Sequence, residues 1–411
     1  MKHNTIVRSS LIAAAILGSA TASALADTDY SLLTTIAIPT SGVNTQPGGA
    51  FTAFDISYFD PTTGLDYVAD RSNASVDIFS GSTNSFVGRA IGGFTGQQAT
   101  TSTSGPDGVV VVGSSQILFA GNGDSTLRSF NVSNPSAPTT ALAPVNTGGS
   151  FRTDEMAYSP TANAILVANN ADAPAFATLV NATTGAIIAA HITIPGTNAN
   201  SGLEQSVWDP NTGTFFVSVP AFAGTGDPGG VAEISATGTF IRSITLASLG
   251  VSACSPAGLA LGGSGNLMIG CSTAGSQTVL LNPAGSGSIV KTFSQISGSD
   301  ELWYDPALSD YFVTGTDSGT RAFDVISDTT DQLLQTVALP DVNAHSIAVD
   351  PLNGDVFVPL EGTTAAGTDA LCPNGCIAVF AQVPEPGSLP MFVTALLGLM
   401  GWPVLRKIYR S

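Results

Sequence analysis

A stretch of fifteen residues beginning at Asp300, DELWYDPALSDYFVT, recurs along the chain. It reads as a strand, a tight turn at Asp-Pro, and a second strand rich in aromatic and β-branched residues. Close relatives are FDISYFDPTTGLDYVAD from Phe54, DEMAYSPTANAILVA from Asp154, LEQSVWDPNTGTFFVS from Leu203 and HSIAVDPLNGDVFVP from His345. Looser copies are PDGVVVVGSSQILFA from Pro106 and PAGLALGGSGNLMIG from Pro256. Aligned on the residue five before the turn, the units begin at Asp55, Asp107, Asp154, Glu204, Ala257, Asp300 and His345, spaced 43 to 53 residues apart.

A lone hairpin cannot bury its apolar faces, so repeated hairpins must stack. Two further β-like runs follow the hairpin: Ser75–Phe79 and Phe86–Ile91 in the first unit, Phe176–Val180 and Ala186–Ile194 in the third, Thr320–Ile326 and Leu333–Leu339 in the sixth. Seven units of four strands predict an all-β fold, a seven-bladed β-propeller. The seventh unit is one strand short, with only Gly375–Ala381 after its hairpin. Leu32–Pro39, LLTTIAIP, matches the outer strand Leu333–Pro340, LLQTVALP. The N-terminal strand is therefore expected to complete the last blade and close the ring without an open edge. Composition agrees: 10% of residues are charged, 45 are Gly, and no stretch between 30 and 381 reads as a ten-residue helix. Thr40–Gly49, Gln97–Gly105 and Pro220–Gly230 read as loops.

The repeat resembles the YVTN/NHL type of propeller, a set that includes lactonase-like seven-bladed proteins. The residues that carry the resemblance are HSIAVDPLNGDVFV, PAGLALGGSGNLMI and VWDPNTGTFFV, and it spans most of 50–381. It implies the fold far more than an activity, because propellers host many unrelated functions. The starts DELWYDP and LEQSVWDP depart from the apolar or His starts common in that set.

Residues 1–26 read as a secretory signal peptide: Lys2 and Arg8, a short apolar run Leu11–Leu17, and Ala24-Leu25-Ala26 as the cleavage site. The alternative, an N-terminal anchor helix, has too short an apolar run to span a bilayer. Residues 27–382 are the propeller. In 383–411, Val383-Pro384-Glu385-Pro386 precedes the apolar segment Ser388–Leu405, which ends in the basic cluster Arg406-Lys407-Ile408-Tyr409-Arg410. That segment is long enough for a transmembrane helix with its basic end in the cytoplasm. The three-part order resembles the PEP-CTERM sorting signal of Gram-negative bacteria. The resemblance implies export across the inner membrane, an exosortase-type processing enzyme as partner, and a membrane-anchored or cell-surface product. A plain single-pass anchor predicts the same topology without cleavage.

Four cysteines suit an exported chain. Cys254 and Cys271 flank a hairpin turn at Gly262-Gly263-Ser264-Gly265, and Cys372 and Cys376 bracket the loop CPNGC. Two local disulfides are expected. A four-cysteine zinc site is the alternative, but the pairs sit in separate repeats.

Between 27 and 383 there are 7 Lys and Arg against 29 Asp and Glu, a net charge of −22. Such a surface repels phosphate backbones, which argues against nucleic acid. It suits divalent cations, cationic partners, or simply solubility outside a cell.

If the alignment holds, Asp55, Asp107, Asp154, Glu204, Asp300 and His345 converge at one mouth of the channel, with Glu155 and Glu301 following two of them. Crowded carboxylates hold protons or attract a cation. Oxygen-rich clusters suit Ca²⁺, Mg²⁺ or Mn²⁺, and the imidazole admits Zn²⁺. The alternative is structural: acidic side chains at strand starts accept backbone N–H groups and lock blades together. Trp208, Trp303, Tyr158, Tyr304 and Phe59 stand just before the Asp-Pro turns, as inter-blade packing or as a sugar-stacking surface. Beyond the leader the histidines are His191 and His345, so hydrolytic chemistry would depend on His345 with Asp300. Two functions follow. One is a binding or scaffold module for a partner, a polysaccharide or a divalent cation. The other is a metal-assisted hydrolase, a lactonase in particular.

Overall fold

Turn chemistry starts each unit as a hairpin. In the structure, a computed structural model, the Oδ1 atoms of Asp60, Asp209, Asp305 and Asp350 accept the N–H two residues on, at 3.1, 2.8, 2.7 and 2.9 Å. Their carbonyls accept the N–H four residues on, from Gly64, Gly213, Ser309 and Gly354, at 2.8–2.9 Å. That last residue is left-handed in every case, with φ of +68°, +69°, +59° and +77°. Asp fits the first place because its short side chain mimics a turn, and Gly the last because it has no Cβ to clash.

The structure describes residues 29–383 apart from 199–200, 223–225, 274, 318–319, 341–343 and 363–370. Asp29–Val383 is a unit of seven antiparallel sheets, each built from the axis outward. Blade 1 is Phe54–Asp60, Leu65–Asp70, Ser75–Ser80 and Ser85–Ile91. Blade 2 has the inner strands Val109–Val112, Ile117–Gly121 and Thr126–Asn131. Blade 3 is Met156–Ser159, Ala164–Asn169, Phe176–Asn181 and Ile187–Thr193, and blade 4 is Ser206–Asp209, Thr214–Val219, Gly230–Ser235 and Phe240–Thr245. Blade 5 is Pro256–Leu261, Leu267–Cys271, Thr278–Asn282 and Ser288–Phe293, and blade 6 is Leu302–Asp305, Asp310–Asp317, Thr320–Ser327 and Gln332–Ala338. Blade 7 is Ala348–Val349, Val356–Leu360, Cys376–Val383 and the N-terminal strand Asp29–Ala37.

The seam is closed as the sequence predicts. Asp29–Ala37 runs antiparallel to Cys376–Val383, pairing Leu32 with Phe380 and Ile36 with Ile377, with one bulge between Leu32 and Thr34. Blade 2 departs from the four-strand pattern. Its outer edge is two short pieces, Thr139–Thr140 and Val145–Asn146, both paired to Thr126–Asn131. Pro135, Pro138 and Pro144 explain the break, since proline cannot donate to a ladder.

The core is divided among the blade interfaces. Seven apolar clusters are present among the described residues, one between each pair of adjacent blades around the ring. The cluster between blades 7 and 1 joins Phe54, Phe59, Val68 and Phe79 to Ile36, Phe357, Ile377 and Val379. Inner strands therefore bury both faces, as VVVV at Val109–Val112 does. Each fully buried Phe or Val stabilises the ring by about 1.5–3 kcal/mol relative to exposure. Outer strands turn one face to water, as Ser288–Phe293 does.

Both expected disulfides are present, Cys254–Cys271 and Cys372–Cys376, and no cysteine is free. Among the described residues no helix is long and apolar enough to cross a membrane. The leader 1–26 and the tail segment 388–405 lie outside the described residues.

Candidate functional site

Inner strands of neighbouring blades approach closely where the channel begins. A Cβ on Gly108 would stand 1.9 Å from the Asp154 carbonyl oxygen, and one on Gly258 would stand 2.4 Å from that of Asp300. Only glycine allows that approach. It packs the residues at the strand starts against one another.

Asp55, Asp107 and Asp154 meet there, each presenting an oxygen within 4.8 Å of the others. Two arginines sit on them. Arg71 follows the second strand of blade 1, and its Nη2 lies 2.7 Å from Asp55 Oδ2. Its Nε and Nη2 both donate to Asp107 Oδ1, at 2.9 and 2.5 Å. Arg152 arrives on the linker into blade 3, with Nη2 2.7 Å from Asp154 Oδ2 and Nη1 3.9 and 4.0 Å from Asp55 and Asp107. The turn carrying Arg71 is pinned by Asn73, whose N–H donates to Asp70 Oδ1 at 2.8 Å and whose Oδ1 accepts Ser41 N–H at 2.7 Å. Arg152 is steadied by Asn170, which accepts from its Nε at 3.1 Å.

His345 joins the same cluster. Its Nε2 is 3.9 Å from Asp55 Oδ1, and its ring stacks on Phe54 at 4.2 Å between centroids. Asp300 lies close enough to Glu204 to raise its proton affinity. Ala257 contributes only backbone, accepting Gln205 N–H at 3.2 Å. Among the described residues, the carboxylates of Asp55, Asp107 and Asp154 are thus held by guanidinium groups from loops rather than by backbone N–H groups.

Charge at this end is unevenly balanced. Burial opposes ionisation of Asp55, but the charges of Arg71, Arg152 and His345 outweigh it and hold the carboxyl below its ordinary range. Asp107, fully buried and with no hydrogen-bond partner on Oδ2, is pushed up to about 7 by that burial. Glu204 is pushed up to about 7 by burial and by Asp300. Burial keeps the proton affinity of His345 below its usual value, against the pull of Asp300 and Asp55.

One residue further along the channel is a second layer. Gln205 braces it: its Oε1 accepts N–H from Leu259 at 2.6 Å and Leu302 at 3.1 Å, and its Nε2 donates to the Leu302 carbonyl at 3.0 Å. Glu301 accepts a short hydrogen bond from Ser346, whose hydroxyl in turn accepts Ser57 N–H at 2.7 Å. Glu155 has no hydrogen bond to its carboxyl among the described residues. Burial, then neighbouring negative charge, raises Glu155 and Glu301 well above the usual carboxylate range.

Beyond this layer the channel opens. A cavity of about 600 Å³ runs to the Asp-Pro turns, with Glu155 and Gln205 at its inner end. Its walls carry Tyr58, Tyr158, Trp208, Trp303 and Tyr304, with Pro160, Pro210 and Pro306 at the turns. None of the six residues expected at the acidic mouth lines it. Of the aromatic residues singled out in the sequence, Phe59 is packing alone, fully buried against Phe357 at 5.7 Å. Trp208 and Trp303 both pack and line: Trp208 meets Phe215 at 4.7 Å, and Trp303 meets Tyr58 edge-on at 5.6 Å. His191 stays on the outer strand of blade 3, stacked on Phe176 at 4.0 Å.

Sequence reasoning missed Arg71, Arg152 and Tyr58. The scarcity of cations was the available signal for the first two. Of 7 Lys and Arg in 27–383, Arg152 stands two residues before a marker carboxylate and Arg71 directly follows the Asp70 that ends a strand. No family model matches the chain, and no curated protein does; the YVTN/NHL and PEP-CTERM resemblances rest on the motif residues alone.

Proposed function

We propose that this protein is an exported binding module whose ligand enters the aromatic mouth of the propeller channel. The cavity carries this reading. It is of small-ligand size, walled by five aromatic side chains and closed at its inner end by polar ones. The opposite end is filled by the chain's own Arg71 and Arg152. The two disulfides and the acidic surface support a life outside the cytoplasm. The tail then serves as a membrane anchor or as a sorting signal processed by an exosortase-type enzyme. The test is a thermal-shift screen of saccharides, amines and lactones, followed by calorimetry on hits. Trp208→Ala and Trp303→Ala should abolish stabilisation by a true ligand. Ligands that stabilise both variants as well as the parent would place binding elsewhere.

A divalent cation at the acidic mouth is the second reading, favoured by the 4.8 Å convergence of Asp55, Asp107 and Asp154. Glu204, Asp300 and His345 would complete its surroundings, and a lactonase would use the metal as Lewis acid with Asp300 and His345 beside it. Arg71 stands on the same oxygens, so metal entry requires that guanidinium to move. Metal analysis and a lactone panel with and without EDTA test it. EDTA-sensitive turnover lost in His345→Ala supports it, and a metal-free, inactive protein removes it.

A further inference from the structure

We infer that the aromatic cavity is a site for an organic cation, a primary to quaternary ammonium group seated among Tyr58, Tyr158, Trp208, Trp303 and Tyr304 with its charge toward Glu155. This rests on the cavity being the ligand site, and it names the ligand's chemistry. Three independent observations carry it.

The walls supply the first. Five aromatic side chains line one space, and aromatic rings attract a cation through their quadrupoles, a recognition mode suited to ammonium groups. Tyr304 is electronically suited to this. Its hydroxyl donates to Asp328 Oδ2 at 3.3 Å, and donation to a carboxylate enriches the ring. Asp328 is itself fixed by Tyr311 at 2.9 Å and Ser264 N–H at 2.9 Å.

The inner end supplies the second. Glu155 is 7% exposed, lines the cavity and has no hydrogen bond to its carboxyl among the described residues. A buried carboxyl without a partner is costly unless it keeps a proton or gains a counter-charge. Asp55, Glu204 and Asp300 raise the proton affinity of that carboxyl, and Arg152 lowers it. Arg152 is already committed to Asp154 at 2.7 Å. A ligand ammonium would supply what the protein does not.

Charge excess supplies the third. Around the axis Asp55, Asp107, Asp154, Glu155, Glu204, Asp300 and Glu301 outnumber the basic groups that act there among the described residues, Arg71, Arg152, the imidazole of His345 and, acting on that imidazole, Arg321. With a net charge of −22 from 7 Lys and Arg and 29 Asp and Glu in 27–383, the field steers cations toward the channel and anions away. A saccharide would use the aromatic walls but would gain nothing from this field.

The experiment titrates the purified protein with choline, tetramethylammonium and the neutral isostere 3,3-dimethyl-1-butanol. Emission from Trp208 and Trp303 is followed, along with calorimetry. We expect choline to bind about tenfold more tightly than the isostere, as a cation–π and carboxylate preference implies. Glu155→Gln should remove most of that preference. Isostere or saccharide binding without ammonium binding overturns the cation assignment and leaves the cavity reading standing. Binding of none of these probes at millimolar concentration overturns both. Because the choline-to-isostere ratio is read on the parent protein, the outcome does not depend on any variant folding.

Discussion

Arg71 grips Asp107 through two nitrogens, Nε at 2.9 Å and Nη2 at 2.5 Å, both on Oδ1. The bond crosses from blade 1 to the strand start of blade 2, and the same guanidinium reaches Asp55 at 2.7 Å. Arg71→Met would leave Asp55 and Asp107 with only the more distant Arg152, 3.9 and 4.0 Å away. Breaking one side of a buried pair costs about 3–5 kcal/mol, and that loss is expected in urea denaturation. Arg71→Lys should recover only part of it, since an ammonium cannot present the same fork. A loss under about 1 kcal/mol, the scale of a surface pair, would contradict the assignment.

Stability should fall as pH rises from 5 to 8. Asp107 and Glu204 are pushed up to about 7, and Glu155 and Glu301 well above their ordinary values, chiefly by burial. The folded protein then keeps protons that the unfolded chain releases. Their stabilisation is complete below the ordinary carboxylate range and is lost as pH climbs through about 7. Asp55, held low, acts in the opposite sense and only in acid. Glu204→Gln should raise the Tm at pH 8 and leave it nearly unchanged at pH 4. A Tm that climbs steadily to pH 8 would refute this.

The Asp-Pro turns offer a matched pair of substitutions. Ser309 sits at φ +59°, where Gly64, Gly213 and Gly354 stand in other blades. Ser309→Gly should relieve about 1 kcal/mol of left-handed strain, and Gly213→Ala should add about the same. A Cβ on Gly213 meets nothing within 4 Å, so the effect is backbone strain alone. Thermal melts of the two variants should shift in opposite directions.

The closing strand is anchored by Tyr30. It is buried edge-on against Phe312 at 5.6 Å, its N–H donates to Gln335 Oε1 at 2.6 Å, and its hydroxyl accepts from Gln382 at 3.0 Å. Tyr30→Ala is expected to cost about 3–5 kcal/mol, the range for truncating a buried aromatic. Val43→Ala, at a residue 57% exposed, serves as the neutral control. Equal midpoints for the two variants would mean that the seam does not need this anchor.

Loop length ranks the two disulfides. Cys254–Cys271 closes 17 residues and Cys372–Cys376 closes 4. Constraint of the unfolded chain gives about 3 and about 2 kcal/mol respectively. Paired Cys→Ser variants at each bridge should lose stability in that order, measured by denaturant midpoints.

The ring was legible because its determinants are local. Each Asp-Pro turn specifies a hairpin within about six residues, period-2 alternation specifies the strands, and the cysteines of each pair lie on the same short element. Even the seam could be read, because Leu32–Pro39 repeats the pattern of Leu333–Pro340. The convergence of Asp55, Asp107 and Asp154 followed from the repeat, since equivalent positions in a closed ring face one axis. What occupies the axis did not follow. Arg71 and Arg152 reach it along loops whose paths no repeat encodes, and they fill the end that the carboxylates alone would leave open to a cation. The aromatic residues before the turns read as packing or as a stacking surface; Phe59 is packing, and Tyr158, Trp208, Trp303 and Tyr304 wall a cavity. Which of their faces stays uncovered depends on how far the inner strands stand apart across the channel. That distance is set by seven blade interfaces packing at once, with Gly108 and Gly258 admitting the closest approaches at the other end.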